Sequence, residues 1–383
     1  VAADAPALLF YGDTERSAAL RHELPLAIGD PLLFGIVDGR RHVLTSIIER
    51  ERIAAVVPDA ELHELGELGF HELLESGISS TELELELASR AAARMGVSEA
   101  IVDPEFPLLV ADRLRADGIS LTADAETFEA RRRVKSAAEL EGIRRAQRAA
   151  EAGMASAAGL LRRSVADDGG TLTVDGDVLT AEALRAALRA ACASQGAPAP
   201  PEVIVASVRQ GFGHEAGSGP LPTGLPIQVD IWPRDERSGC WADMTRTFVV
   251  GEVPEEVRAQ EALVREALER AHEATRPGVS GRELHALACE VFEGAGHRTQ
   301  RTGPGDDPSE GFQFSLGHGV GLQVHEAPSL GQSGHEVLVA GDVIAVEPGL
   351  WDRALGGVRF EDLLLVTDDG CETLTDYRYD LEP

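Results

Sequence analysis

The sequence predicts an α+β protein. Residues 126–383 read as a duplicated half-unit about a pseudo-twofold axis, and residues 1–125 as a smaller α/β domain. Three observations lead there. Residues 221–250 (LPTGLPIQVDIWPRDERSGCWADMTRTFVV) and 338–367 (LVAGDVIAVEPGLWDRALGGVRFEDLLLVT) share one layout: an apolar run ending in a carboxylate, a polar Gly-containing connection, a second carboxylate and another apolar run. Asp230 and Asp243 are 13 positions apart and Glu347 and Glu361 are 14 apart, with the copies offset by 117 and 118. Two helical stretches precede each copy, so the repeat extends beyond its acidic positions.

In residues 1–125, stretches 31–36 and 41–46 form a hairpin turned at Asp38-Gly39. Further strands are expected at 54–57, 100–102 and 119–122. Residues 81–95 alternate at first but are long and end at Gly96, so they are expected as a helix capped by Thr81 and Glu84. His22, His42, His63 and His71 stand apart among charged residues and read as surface side chains.

The charged stretch 126–135 marks the domain boundary. Ser136 and Glu139 form a capping box that opens a helix with Leu140, Ile143, Ala150, Met154, Ala157 and Leu161 at helical spacing. Residues 165–179 are a Gly- and Asp-rich loop with a short hairpin, 181–194 a helix ended at Gly196, and 202–207 a strand. After the first carboxylate pair, 254–275 is a helix with Val257, Val264, Leu268 and Ala271 on one face. Ser280 and Glu283 then cap another.

Composition excludes several function classes. The formal charge is −30, from 65 acidic and 35 basic residues, and the longest basic run is Arg131-Arg132-Arg133. That is no footprint for nucleic acid or an anionic membrane surface. Cys192, Cys240, Cys289 and Cys371 match no zinc or redox spacing and read as reduced thiols. No apolar run reaches the ~20 residues of a membrane helix, and the opening VAADAPALLF shows no signal peptide. A soluble, cytoplasmic protein is expected. The absence of an initial Met leaves room for a short missing segment.

The repeat has a chemical consequence. Packed about a pseudo-twofold axis, it brings four carboxylates together, and four buried like charges cannot stay ionised without cations. For any one alone, a solvated hairpin carboxylate is the simpler reading. For four in register a metal site is, with two ions to balance the charge. His318, between Gly317 and Gly319, adds an imidazole. In a Gly-rich loop a lone His is commonly a turn residue, but beside this repeat it reads as a ligand suited to Zn, Co, Fe or Mn.

These residues resemble the M24 metallopeptidase family of Xaa-Pro aminopeptidases, prolidases and methionine aminopeptidases, with its pita-bread fold. The resemblance rests on Asp-x(12)-Asp-Met-Thr-Arg-Thr-Phe at 230–248, Gly-His-Gly-Val-Gly-Leu-x-Val-His-Glu at 317–326, Glu-Pro-Gly-Leu at 347–350 and Arg-x-Glu-Asp at 359–362. Residues 1–125 are similar in layout to the creatinase/prolidase N-terminal domain, which favours the proline-peptidase branch. The resemblance implies two divalent ions, Mn first and Co or Zn as alternatives. Asp230 would hold one ion, Asp243 and Glu361 would bridge both, and His318 and Glu347 would complete the second. It implies Glu347 as proton carrier, His325 as the histidine that holds substrate and tetrahedral intermediate, and His214 as the other active-site histidine. It also implies a small peptide substrate and a homodimer.

Arg359 reads either as a partner of the carboxylates or as a plain strand arginine. Relatives usually carry glycine two residues after the first metal aspartate; here Trp232-Pro233 follows Ile231, and Trp232 is expected to line the pocket. Three functions follow. The leading one is hydrolysis of Xaa-Pro peptides. The others are hydrolysis of a small non-peptide amide, and non-catalytic peptide binding. Metal-free creatinase-like action is disfavoured because all five ligand positions are filled.

Overall fold

The structure is a computed structural model describing residues 6–210, 213–307 and 309–383. Residues 1–5, part of the stretch read above as lacking a signal peptide, and the Gly211-Phe212 pair ahead of His214 lie outside them. The chain divides into two compact units, Val1–Arg132 and Arg133–Pro383.

The first unit is built on a six-stranded sheet. Its strands lie in the order Glu61–Glu64, Arg40–Thr45, Leu32–Val37, Ala7–Gly12, Glu99–Val102, Ser120–Ala123. Strand alternation sends Leu9 and Leu33 to one face and Phe10 and Phe34 to the other. Each set belongs to its own buried cluster. Helices Ser80–Arg94 and Leu108–Ala116 cover the first face, and Ala18–Glu23 and Arg50–Val56 the second. The charged helix Ala125–Arg133 sets Phe128 edge-on to Phe10 at 5.0 Å, so residues 126–132, expected to open the second domain, pack with the first unit.

Three expectations are corrected here. Residues 54–57 are not a strand: they end helix Arg50–Val56, because Ile53 and Val57, one turn apart, are the buried positions. The helix expected at 81–95 is present, but its capping box is Ser79 with Glu82 rather than Thr81 with Glu84. His42 and His63 are buried rather than exposed. Parallel strand pairing puts them on one face, with His42 Nδ1 3.1 Å from His63 Nε2 and the ring planes 12° apart. Together with Glu61 they offer ligand atoms within 4.8 Å of one another.

The second unit carries the repeat. Helices Ala137–Arg163 and Ala181–Ser194 pack together, as do Glu255–Ala274 and Gly281–Gly294. The capping boxes Ser136/Glu139 and Ser280/Glu283 open a helix in each pair as expected. After the first pair comes the sheet Ile204–Ala206, Ile227–Ile231, Met244–Phe248. After the second comes the five-stranded sheet Glu326–Leu330, Gly317–Gly319, Val343–Val346, Asp362–Val366, Cys371–Thr373. A two-stranded ribbon, Gly349–Asp352 with Gly356–Arg359, lies between the second pair of carboxylates. Glu361 N donates to Thr245 O at 3.1 Å and Thr247 Oγ1 to Arg359 O at 3.1 Å, joining the halves where the carboxylates lie. Among the described residues, no helix is long and apolar enough to cross a membrane.

Candidate metal centre

Each carboxylate sits where a strand begins or ends. Asp230 is on Ile227–Ile231 and Asp243 precedes Met244–Phe248; Glu347 follows Val343–Val346 and Glu361 precedes Asp362–Val366. Antiparallel pairing brings these ends together. Asp230, Asp243 and Glu361 offer oxygens within 4.8 Å of one another, and His318, Glu347 and Glu361 do the same with one nitrogen and two oxygens. Asp230, Asp243 and Glu361 are only 6%, 5% and 1% exposed. The four carboxylates and His318 line a single cavity of about 330 Å³, together with Arg359, His214, His325, Trp232, Glu202, Ile204 and Val324.

Electrostatics follow from that crowding. Burial pushes all four carboxyls up. Glu361, Asp230 and Glu347 push Asp243 further, to well above the carboxylate range. Glu361 is raised well above it too, by burial and then by Glu347 and Asp230. Burial also raises Asp230 and Glu347, the latter to about 7, while Arg359 opposes the rise in both. Burial lowers His318 to about 3, with His325 adding to the effect, so its ring is neutral. Its Nδ1 lies 3.1 Å from Gly319 O, which assigns the ring proton there. Nε2 then turns a lone pair toward Asp243 Oδ2 and Glu347 Oε1, each 3.7 Å away. These are contacts of a neutral donor rather than ion pairs.

Arg359 is 5% exposed and is no strand-surface arginine. Its Nη1 donates to Asp230 Oδ2 at 2.9 Å and lies 3.4 Å from Glu347 Oε2. Its guanidinium lies over the rings of Phe314 and Trp351, at 5.2 and 5.1 Å, and those rings stand edge-on to each other at 4.9 Å. Burial pulls its pKa down, but the surrounding carboxylates outweigh that and raise it.

His325 is open to solvent, yet its ring stands edge-on to His318 at 4.2 Å; burial and His214 keep its pKa low. His214 is likewise exposed and faces the same cavity. Trp232 forms part of the wall. Every residue singled out from the sequence is therefore in or beside one cavity. Thr245 was missed: its Oγ1 donates to Glu361 Oε2 at 2.7 Å. Strand alternation from Asp243 through Thr245 to Thr247 was the signal that could have found it. Glu202, Ile204 and Val324 carried no comparable signal.

The family model described as "Metallopeptidase family M24" matches residues 141–368. The chain is 42% identical over 134 residues to a Xaa-Pro dipeptidase of Pyrococcus furiosus and 40% identical over 134 residues to one of Pyrococcus horikoshii. Each match covers 35% of this chain and 35% of the relative, so the matched stretch spans about a third of either relative's length. A prolidase structure from Pyrococcus horikoshii superimposes with TM-score 0.76 at 21% identity, covering 98% of this chain and 95% of that one. An X-Pro aminopeptidase structure from Thermotoga maritima gives TM-score 0.78 at 21% identity, covering 98% and 96%. These two likenesses show the fold, the pita-bread architecture with an N-terminal domain that the motifs led us to expect. Since the matching model spans well over half of the chain, this protein belongs to metallopeptidase family M24.

Proposed function

We propose that this chain hydrolyses peptide bonds in Xaa-Pro substrates, as an aminopeptidase P or a prolidase, at two divalent ions held by Asp230, Asp243, His318, Glu347 and Glu361. The observation that carries this reading is the donor set itself. Four carboxylates and one neutral imidazole share a cavity with one guanidinium among its lining residues, leaving a deficit of positive charge that divalent ions would fill. The hard oxygen-rich set suits Mn best, with Co and Zn as alternatives. The names of the Pyrococcus relatives support the substrate class.

Bound there, the ions would polarise the scissile carbonyl and activate water as the nucleophile. Asp243 and Glu361 would be shared between the ions, Asp230 would serve one, and His318 with Glu347 would serve the other. Glu347 would take up the nucleophile's proton and return it to the leaving amine. His325 and His214 line the cavity and are exposed to solvent, where they would hold the substrate carbonyl and steady the charge that develops on it. Trp232 shapes the wall against which substrate packs. Arg359 keeps Asp230 and Glu347 at fixed spacing. Four free cysteines accord with a cytoplasmic setting, and we expect a homodimer.

The test is a panel of Xaa-Pro dipeptides and longer Xaa-Pro peptides, with enzyme supplemented by Mn, Co or Zn. Cleavage of dipeptides alone identifies a prolidase, and cleavage of longer peptides an aminopeptidase P. A metal-loaded chain that cleaves neither would redirect the reading to a small amide. A chain that takes up no metal would redirect it to peptide binding.

A further inference from the structure

Lys135 and Glu326 form a buried ion pair that the chemistry above leaves unused. The two residues are 191 positions apart, and each side chain is 2% exposed. Lys135 lies just before Ser136, the N-cap of helix Ala137–Arg163. The neighbouring Arg133 grips Asp342 through two hydrogen bonds of 2.9 and 2.6 Å, so this segment is itself firmly held.

Glu326 directly follows His325 and closes the loop that starts at His318. The strand pairing matches His318 with Ser329 but Gly319 with Glu326, and the jump between them leaves residues 320–325 as a loop bounded by that last pair. Backbone bonds, and one from the His318 ring to the Val324 backbone, hold the loop. Val320 N donates to Val343 O at 2.8 Å, Gly321 N to Gln323 O at 3.0 Å, and Trp241 N to Gly321 O at 2.8 Å. Gln323 N reaches Glu326 Oε2 at 3.4 Å. Gly321 is open so that the pair can form: a Cβ there would lie 2.5 Å from Glu326 Oε1 and 2.9 Å from Lys135 Nζ. The loop that presents His325 thus folds over a carboxylate held by the distant Lys135 and by Gln323 N.

We propose that Lys135 is a positioning residue. Through Glu326 it fixes the 319–326 loop so that His325 stands edge-on to His318 at the cavity. The catalytic part of this inference rests on the role given to His325 above; the structural part does not. A side chain buried to this degree keeps its charge only when paired, so the two residues depend on each other.

The experiment is a double-mutant cycle on the full chain with metal bound. Lys135→Met is expected to lower kcat/KM about 10–100-fold in the native background, with bound metal unchanged. In a His325→Ala background the same change should cost less than about twofold. Losses that multiply independently would overturn the proposal. The neutral pair Lys135→Met with Glu326→Gln leaves no lone buried charge, so it should regain thermal stability while kcat/KM stays low. Activity that returns together with stability would mean the pair only balances charge. Amide exchange decides the structural part without any substrate. Val320 and Gly321 should exchange about tenfold faster in Lys135→Met relative to strand Val343–Val346. Unchanged exchange would overturn the proposal. A native chain that cleaves no Xaa-Pro peptide would instead overturn the proposed function.

Discussion

The two halves of the second unit share a backbone plan and differ in what they hang on it. Aligned by their carboxylates, Asp230 corresponds to Glu347 and Asp243 to Glu361. The strand beside the first carboxylate of each pair is also equivalent. Ala206 lies opposite Gln228 in the first half, and His318 lies opposite Ala345 in the second. His318 is therefore the second half's answer to a buried alanine. The connections differ in the same way. Four residues past the first carboxylate stand Arg234 and Trp351; two before the second stand Trp241 and Arg359. Each half thus has an arginine over a tryptophan, Arg234 over Trp241 at 5.5 Å and Arg359 over Trp351 at 5.1 Å, with the positions exchanged. Arg234 turns its Nε to Gly239 O at 2.9 Å, whereas Arg359 turns into the site. A symmetric frame supplies four carboxylates, and two asymmetric side chains, His318 and Arg359, both reach Glu347 and break that symmetry.

The largest effect should come from the shared positions. Asp243→Ala is expected to empty both ion sites and lower hydrolysis by about three orders of magnitude or more, read by metal analysis and steady-state rates. Full activity would refute the ligand assignment. The asymmetric position should give a smaller, one-sided effect. His318→Ala is expected to weaken one ion while the other stays bound, with activity down about a hundredfold. Ala206→His should not compensate; it overpacks a buried site and costs about 1–3 kcal/mol of stability in denaturant titration. Equal loss of both ions in His318→Ala would mean that the halves are not distinct.

Acidity offers a third probe. In the metal-free chain the native state holds protons on Glu347 up to about 7, from an ordinary value of 4.5, and Asp230, Asp243 and Glu361 are raised as well. Through these four carboxyls the native state binds more protons than the unfolded one, so their contribution to stability should fall as pH rises from 4.5 through about 7, while His318, lowered to about 3 from 6.5, contributes in the opposite direction up to 6.5. Saturating divalent metal should flatten or reverse that slope, since the ions need ionised ligands. Thermal melts across that range, with and without Mn, measure it. The smallest effect is expected at the wall. Trp232→Ala should change KM by a factor of about 3–10 with metal content intact, and unchanged kinetics would remove Trp232 from the pocket.

The sequence made the frame legible because the frame is local and repeated. Capping boxes, strand alternation and evenly offset carboxylates all act over a few residues, and Ser136, Ser280 and the four acidic positions stand where those patterns put them. What stayed hidden depends on distant partners. Arg359 is fixed by Asp230, 129 positions away, so its strand alone left two readings open. His42 looked like a surface residue until pairing with strand Glu61–Glu64 supplied His63. Short apolar runs also mislead: Ala54–Val57 has strand composition, but Ile53 just before it sets a helical spacing.

Anomalous diffraction from crystals of the Mn-loaded protein tests the central claim most directly. The expected map has two peaks about 3.5–4 Å apart, with oxygens of Asp243 and Glu361 between them and His318 Nε2 on only one. A single peak, two peaks not shared by those carboxylates, or ions bound away from this cavity would contradict the account.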